Sequence, residues 1–194
     1  MRSGRYVSAV TTTTARRTQA ERSAATRRLL LDATVDCLVE FGYTGTTTAA
    51  VAERAGLSRG AQLHHFGTRQ RLIAAAVQHL ADRRLDQVQE RARRWVEDGA
   101  RPRRALGLLA EALSGPLYAA SLELWVAARV DPELREALIP VEQHTSATLR
   151  RFCRDFVTED PVLVQMTLDL MLGRGVGSLL MPVPRDREHA VLDT

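Results

Sequence analysis

Four helix signals fall within residues 45–73, GTTTAAVAERAGLSRGAQLHHFGTRQRLI, and they leave this stretch little choice of fold. Thr47 suits a helix N-cap, because its hydroxyl can accept a bond from an otherwise orphaned N–H of the first turn. Val51, Ala52 and Ala55 then form a short apolar face, and Gly56 stops the segment. Ser58 is a second N-cap for a helix running to about His65, and Thr68 caps a third. Two helices of about two turns each, joined by a tight turn at Gly56, make a helix-turn-helix.

The small residues Ala52 and Ala55 let the first helix pack closely on the second, whose N-terminal half then projects outward. There Arg59 brings charge, Gly60 and Ala61 keep the surface low enough for close approach, and the helix N-terminus attracts phosphate. A plain helical hairpin inside a core would need apolar residues at 59–65; the sequence has Arg59, Gln62, His64 and His65 instead. The charge agrees with an anionic partner. Every one of the 27 basic residues is Arg; residues 1–71 hold 11 of them against 5 acids, whereas residues 72–194 hold 16 against 18.

The rest of the chain reads as all-helical. Aromatics make up only 5% of the 194 residues while Ala, Leu and Arg abound, which disfavours an all-β fold. A helical period begins near Thr26, with Leu30, Ala33, Cys37 and Phe41 recurring at three or four and Leu29 and Leu38 widening the stripe; Gly42 ends it. From Thr68 to about Glu97 the pattern supports one long helix, a rod of about 42 Å at roughly 1.5 Å per residue. Further helices are expected at about 102–114, 116–129, 131–157 and 160–181, with a kink or break at Pro140. The last is apolar nearly all round, so it needs the core on one side and another subunit on the other; Gly173 and Gly177 would let a partner helix come close.

Other chemistries find little support. Cys37 and Cys153 are too few and too far apart for a disulfide framework or a metal cluster, and suggest a reducing, cytoplasmic setting. No apolar run reaches membrane-spanning length, and Val7–Val10 is too short for a secretory signal, so no membrane partner is expected. His64 and His65 are adjacent on a helix and point about 100° apart, a poor arrangement for one metal ion. GRGVG near the end follows no strand and is not a nucleotide loop. No catalytic set and no cofactor motif is found, so neither an enzyme nor a cofactor is expected.

Taken in order, Phe41-Gly42-Tyr43, Thr46-Thr47, Ala52-Glu53-Arg54-Ala55-Gly56-Leu57-Ser58, His65-Phe66, Thr68-Arg69 and Leu72 resemble the DNA-binding domain of the TetR/AcrR transcriptional regulators. The resemblance covers Thr26 to Ile73, about a quarter of the chain. It implies a homodimeric regulator, expected to be a repressor, that binds double-stranded DNA at a palindromic operator and is released by a small apolar or amphipathic effector. It also implies DNA contacts from Thr47, Thr48, Ser58, Arg59, Gly60, Ala61, Gln62, Leu63, His64, His65, Thr68 and Arg69. Two positions depart from the family pattern. Gln62-Leu63 stands where a Leu-Tyr pair is usual, so the phosphate-contacting hydroxyl is missing; Gln62 either faces solvent or reads a base. Arg69 replaces the usual Lys and is expected to keep its phosphate contact.

The expected organisation is a disordered basic arm over 1–22, a DNA-binding domain over 23–82, a helical ligand-binding and dimerisation domain over 83–181, and a tail over 182–194. Leu117, Tyr118, Trp125, Met166 and Leu170 are candidates for the effector pocket, though plain core would explain them equally. The last two helices are expected to form the dimer seam. Two other readings compete. A non-specific architectural DNA binder would have no need of so large a helical remainder. A helical carrier or enzyme with a vestigial helix-turn-helix would have no need of Arg59, His64 and Arg69.

Overall fold

The computed structural model describes residues 18–94, 101–179 and 181. Among these the fold is all-helical: α1 Gln19–Gly45, α2 Thr48–Ala55, α3 Arg59–Phe66, α4 Arg69–Arg93, α5 Arg101–Ala112, α6 Gly115–Ala128, α7 Pro132–Phe156 and α8 Pro161–Ser178. No single helix among them is long and apolar enough to cross a membrane.

The helix ends follow local chemistry. Thr47, Ser58, Thr68, Asp131 and Asp160 each turn a side-chain oxygen onto a first-turn N–H of the helix that follows. α1 begins earlier than the apolar stripe suggests. Thr18 and Glu21 form a reciprocal capping box, Thr18 N–H to Glu21 Oε2 at 2.7 Å and Glu21 N–H to Thr18 Oγ1 at 3.2 Å. Residues 18–22 of the expected arm therefore start a helix; the rest of the arm, and the 182–194 tail, lie outside the described residues. Gly42 breaks α1 with φ 66° and ψ −173°, after which a last turn runs to Gly45. α7 continues through Pro140 as one helix, so the break entertained there is absent.

Three apolar clusters stack along the molecule. The first, around Leu30, Cys37, Val51, Phe66, Leu72 and Ala76, holds α1–α4 together. The second joins α1 and α4 to α6 and α7 through Leu38, Ile73, Leu124, Leu134, Leu138 and Val141. The third, around Leu85, Leu109, Tyr118, Leu149, Phe152, Leu168 and Met171, fills the far end. α4 contributes to all three, so the expected boundary at 82/83 falls inside one continuous helix. Leu30, Leu72 and Ile73 are at most 1% exposed, and truncating such a side chain to Ala costs about 2–5 kcal/mol. Both thiols are buried; burial raises both, Cys153 to about 11, which leaves them inert at neutral pH.

Candidate nucleic-acid interface and effector cavity

α2 ends in a Schellman turn: Gly56 N–H bonds Glu53 O at 3.1 Å and Leu57 N–H bonds Ala52 O at 3.0 Å. Gly56 sits at φ 65°, ψ 31°, and a Cβ there would meet nothing within 4 Å. Glycine is thus required by backbone conformation, not by space. The turn delivers α3 with Ser58 as its cap, its hydroxyl accepting from Ala61 N–H at 3.3 Å. Arg59, Gly60, Leu63 and His64 are exposed on α3, Ala61 and His65 are half-buried, and Phe66 is buried. The rings of His64 and His65 meet edge-on at 5.4 Å. At the start of α2, Thr47 is exposed and accepts from Ala50 N–H at 3.1 Å, with Thr48 half-buried behind it. Thr68 caps α4 through Arg71 N–H at 3.3 Å. Thr47, Thr48, Ser58, Arg59, Gly60, Ala61, Leu63, His64, His65 and Thr68 thus fall on the two short helices and on the turns before and after them.

Two of the residues expected to touch DNA turn into the fold. Gln62 is 2% exposed, on the side of α3 that faces the core, and its Oε1 has no partner among the described residues. It does not face solvent; α3 holds it against the core on the same side as Phe66. Arg69 turns inward. Its Nε donates to Thr46 O at 2.7 Å, a terminal nitrogen donates to Tyr43 O, and its guanidinium lies 4.2 Å from the centre of the Tyr43 ring. These contacts clamp the turn between α1 and α2. Arg27 stacks over Phe66 at 4.5 Å and is exposed beside the end of α3. Its signal in the sequence is weak, an Arg one turn before the apolar stripe and a whole helix ahead of the motif.

Tyr43 also joins the two halves. Its backbone N–H donates to Glu123 Oε2 on α6 at 3.1 Å, and its hydroxyl donates to Asp131 Oδ2 at 2.8 Å. The same Asp131 oxygen accepts from Gln70 Nε2 at 3.2 Å, and the other oxygen caps α7 through Leu134 N–H at 2.9 Å. A Cβ on Gly42 would lie 2.7 Å from Glu123 Oε2, so glycine admits the carboxylate.

Between α4, α6, α7 and α8, with walls from α1 and the end of α5, lies a cavity of about 210 Å³. Leu117, Tyr118 and Trp125 line it, alongside Leu113, Leu149, Leu168, Arg84, Glu142 and Arg150. Met166 and Leu170 do not: each is 61% exposed on the far side of α8, whose inner stripe is Val164, Leu168, Met171 and Gly175. Tyr118 spans the cavity wall and donates to Leu172 O at 3.0 Å. At Gly175 a Cβ would come within 2.4 Å of Leu113 O and of the Tyr118 ring, so this glycine lets α8 seat against α5 and α6. Among the described residues no group of three or more His, Cys, Asp or Glu side chains is placed to hold a metal ion.

Residues 30–76 match the family described as bacterial regulatory proteins, tetR family. An HTH-type transcriptional regulator of Mycobacterium tuberculosis is 30% identical, over 90% of this chain and 93% of its own length. The HTH-type transcriptional regulator CymR of Pseudomonas putida is 35% identical, over 83% and 72%. Among solved structures, the multidrug binding protein EbrR complexed with imidazole superposes with a TM-score of 0.67 at 24% identity, covering 86% of this chain and 92% of that one. A TetR-family member from Streptomyces coelicolor A3 gives 0.68 at 22%, covering 87% and 96%.

Proposed function

Because the chain belongs to the TetR family of DNA-binding transcriptional regulators, we propose that it acts in the cytoplasm as a homodimeric, ligand-responsive repressor. The observation that carries this reading is the exposed side of α3, where Arg59, Gly60, Leu63 and His64 stand clear of the core beyond a capped N-terminus. Such a helix suits the major groove. Arg59 is placed to read a guanine edge, Leu63 offers an apolar surface to a thymine methyl, and the capped N-termini at Thr47 and Ser58 take phosphate. Thr48, Gly60, Ala61, His64, His65 and Thr68 fill out the contact surface. Arg69 and Gln62 hold it in place from behind.

Dimerisation is assigned to α7 and α8. Val162, Leu163, Met166, Leu170, Val176 and Leu179 leave an exposed apolar stripe along α8 that a single subunit does not cover. Two such subunits present two copies of α3 to half-sites about one helical turn, or a multiple of it, apart. The cavity takes a small effector, which favours a dimer whose recognition helices no longer match that spacing. Nothing in this scheme calls for catalysis.

Nuclease protection of the DNA flanking the chain's own gene tests it. The expected result is a two-fold symmetric footprint that small molecules of the right class clear. Uniform binding to all sequences, with no footprint, would overturn the reading.

A further inference from the structure

The charges lining the cavity do not balance. They are Arg84 on α4, and Glu142 and Arg150 on α7. Glu142 is already engaged, accepting from Trp125 Nε1 at 2.6 Å. Arg150 is exposed and reaches Gln165 Oε1 at 3.4 Å. Arg84 differs: it is half-buried in the cavity wall, and among the described residues no hydrogen bond or ion pair engages it. The acid that acts on it from a distance, Glu111, is held by Arg91 at 2.9 and 3.1 Å. Burial lowers the Arg84 pKa from its ordinary value, the mark of a cation partly stripped of water. Such a group is costly until an anion meets it.

Resting on the effector reading above, we propose that the cavity takes a small amphipathic monoanion, a carboxylate held by the guanidinium fork of Arg84. The apolar body lies against Leu113, Leu117, Leu149 and Leu168. One negative charge offsets the single positive excess of the lining, and a planar guanidinium matches a carboxylate through two parallel N–H bonds. The cavity's 210 Å³ has room for a ligand built on one ring or a short acyl chain.

Three probes of one shape and different charge test the assignment by calorimetry on the full chain: phenylacetate, phenethylamine and 2-phenylethanol. Phenylacetate should bind at least tenfold more tightly than the other two. Arg84→Met should abolish that preference, and Arg84→Lys, which keeps the charge without the fork, should retain part of it; the thermal transition of each variant checks its fold. Equal binding of the alcohol, preference for the amine, a preference that survives Arg84→Met, or binding of none of the three would overturn the proposal. A footprint cleared by the amine or alcohol would keep the effector reading and sink the carboxylate. Tight phenylacetate binding that leaves the footprint intact would do the reverse.

Discussion

The hydroxyl of Tyr43 donates to Asp131 Oδ2 at 2.8 Å, tying the end of the DNA-binding helices to the first turn of α7, 88 residues away in sequence. Arg69 stacks on the same ring, so one tyrosine is shared by the clamp on the turn before α2 and by the cap of α7. The ring thus links the start of α7 directly to the turn that precedes α2.

Tyr43→Phe keeps the ring and removes the bond. It should cost about 1 kcal/mol of stability, read as a fall in Tm of about 2–4 °C, and should weaken the effect of ligand on operator affinity. The partner adds a pH signature. Asp131 is held below the ordinary carboxylate range, first by the Leu134 N–H and then by the Tyr43 hydroxyl. A depressed folded pKa gives stability that is complete above the unfolded value of about 3.9 and is lost as pH falls through the lower folded value. Asp131→Asn should flatten that acid limb in urea titrations run from pH 5 downward; an unchanged limb would remove Asp131 from the account.

Arg69 and Arg59 should separate cleanly. Arg69→Ala loses two hydrogen bonds and a stacking contact, with an expected loss of about 2 kcal/mol in folding stability, while the salt slope of DNA binding stays as it was. Arg59→Ala should leave stability alone, cost about 1–3 kcal/mol of operator affinity and relax the preference at one base pair. Paired denaturation and gel-shift titrations decide between these roles. A shallower salt slope for Arg69→Ala would return that residue to the phosphate surface.

Gln62 offers a gain. A buried amide oxygen without a partner is a net cost, so Gln62→Leu should raise stability by about 1 kcal/mol and leave operator sequence preference unchanged. Altered preference in a binding-site selection would show that Gln62 swings out to the bases.

The α8 seam is testable without threatening the subunit. A Cβ on Gly177 meets nothing within 4 Å, and Leu170 is 61% exposed. Gly177→Leu and Leu170→Arg should therefore leave helicity intact and shift the sedimenting species from dimer to monomer. A persistent dimer in both would move the seam off α8.

For the basic arm, two truncations give different results. Removing residues 1–17 deletes Arg2, Arg5, Arg16 and Arg17 but keeps the Thr18–Glu21 box. It should preserve Tm and make the salt slope shallower by about one to three units per dimer. Removing 1–22 also uncaps α1 and should cost about 1 kcal/mol of stability in addition. An identical salt slope for the full and the 1–17-truncated chain would mean the arm touches no phosphate.

What the sequence determined by itself is everything that depends on neighbours four residues away or fewer. The caps at Thr47, Ser58 and Thr68 and the turns at Gly42 and Gly56 all stand where the sequence puts them, because each is a bond or a backbone angle closed within one turn of helix. The Thr18–Glu21 box belongs to the same class; its Thr-x-x-Glu signal lies ahead of the apolar stripe and carries α1 outward beyond it. The tertiary structure decided which way ambiguous side chains point. Arg69 turns in because Thr46 and Tyr43, more than twenty residues earlier, bring two carbonyls and a ring within its reach. Gln62 is buried because α3 can present only one side to the core and must spend Phe66 and position 62 on it. Met166 and Leu170 leave the cavity for the surface because α8 seats on Gly175, where only a missing side chain allows contact with Tyr118 and Leu113, and that contact sets the rotation of the whole helix. Helical spacing records that an apolar stripe exists; only contacts between distant segments choose what it faces.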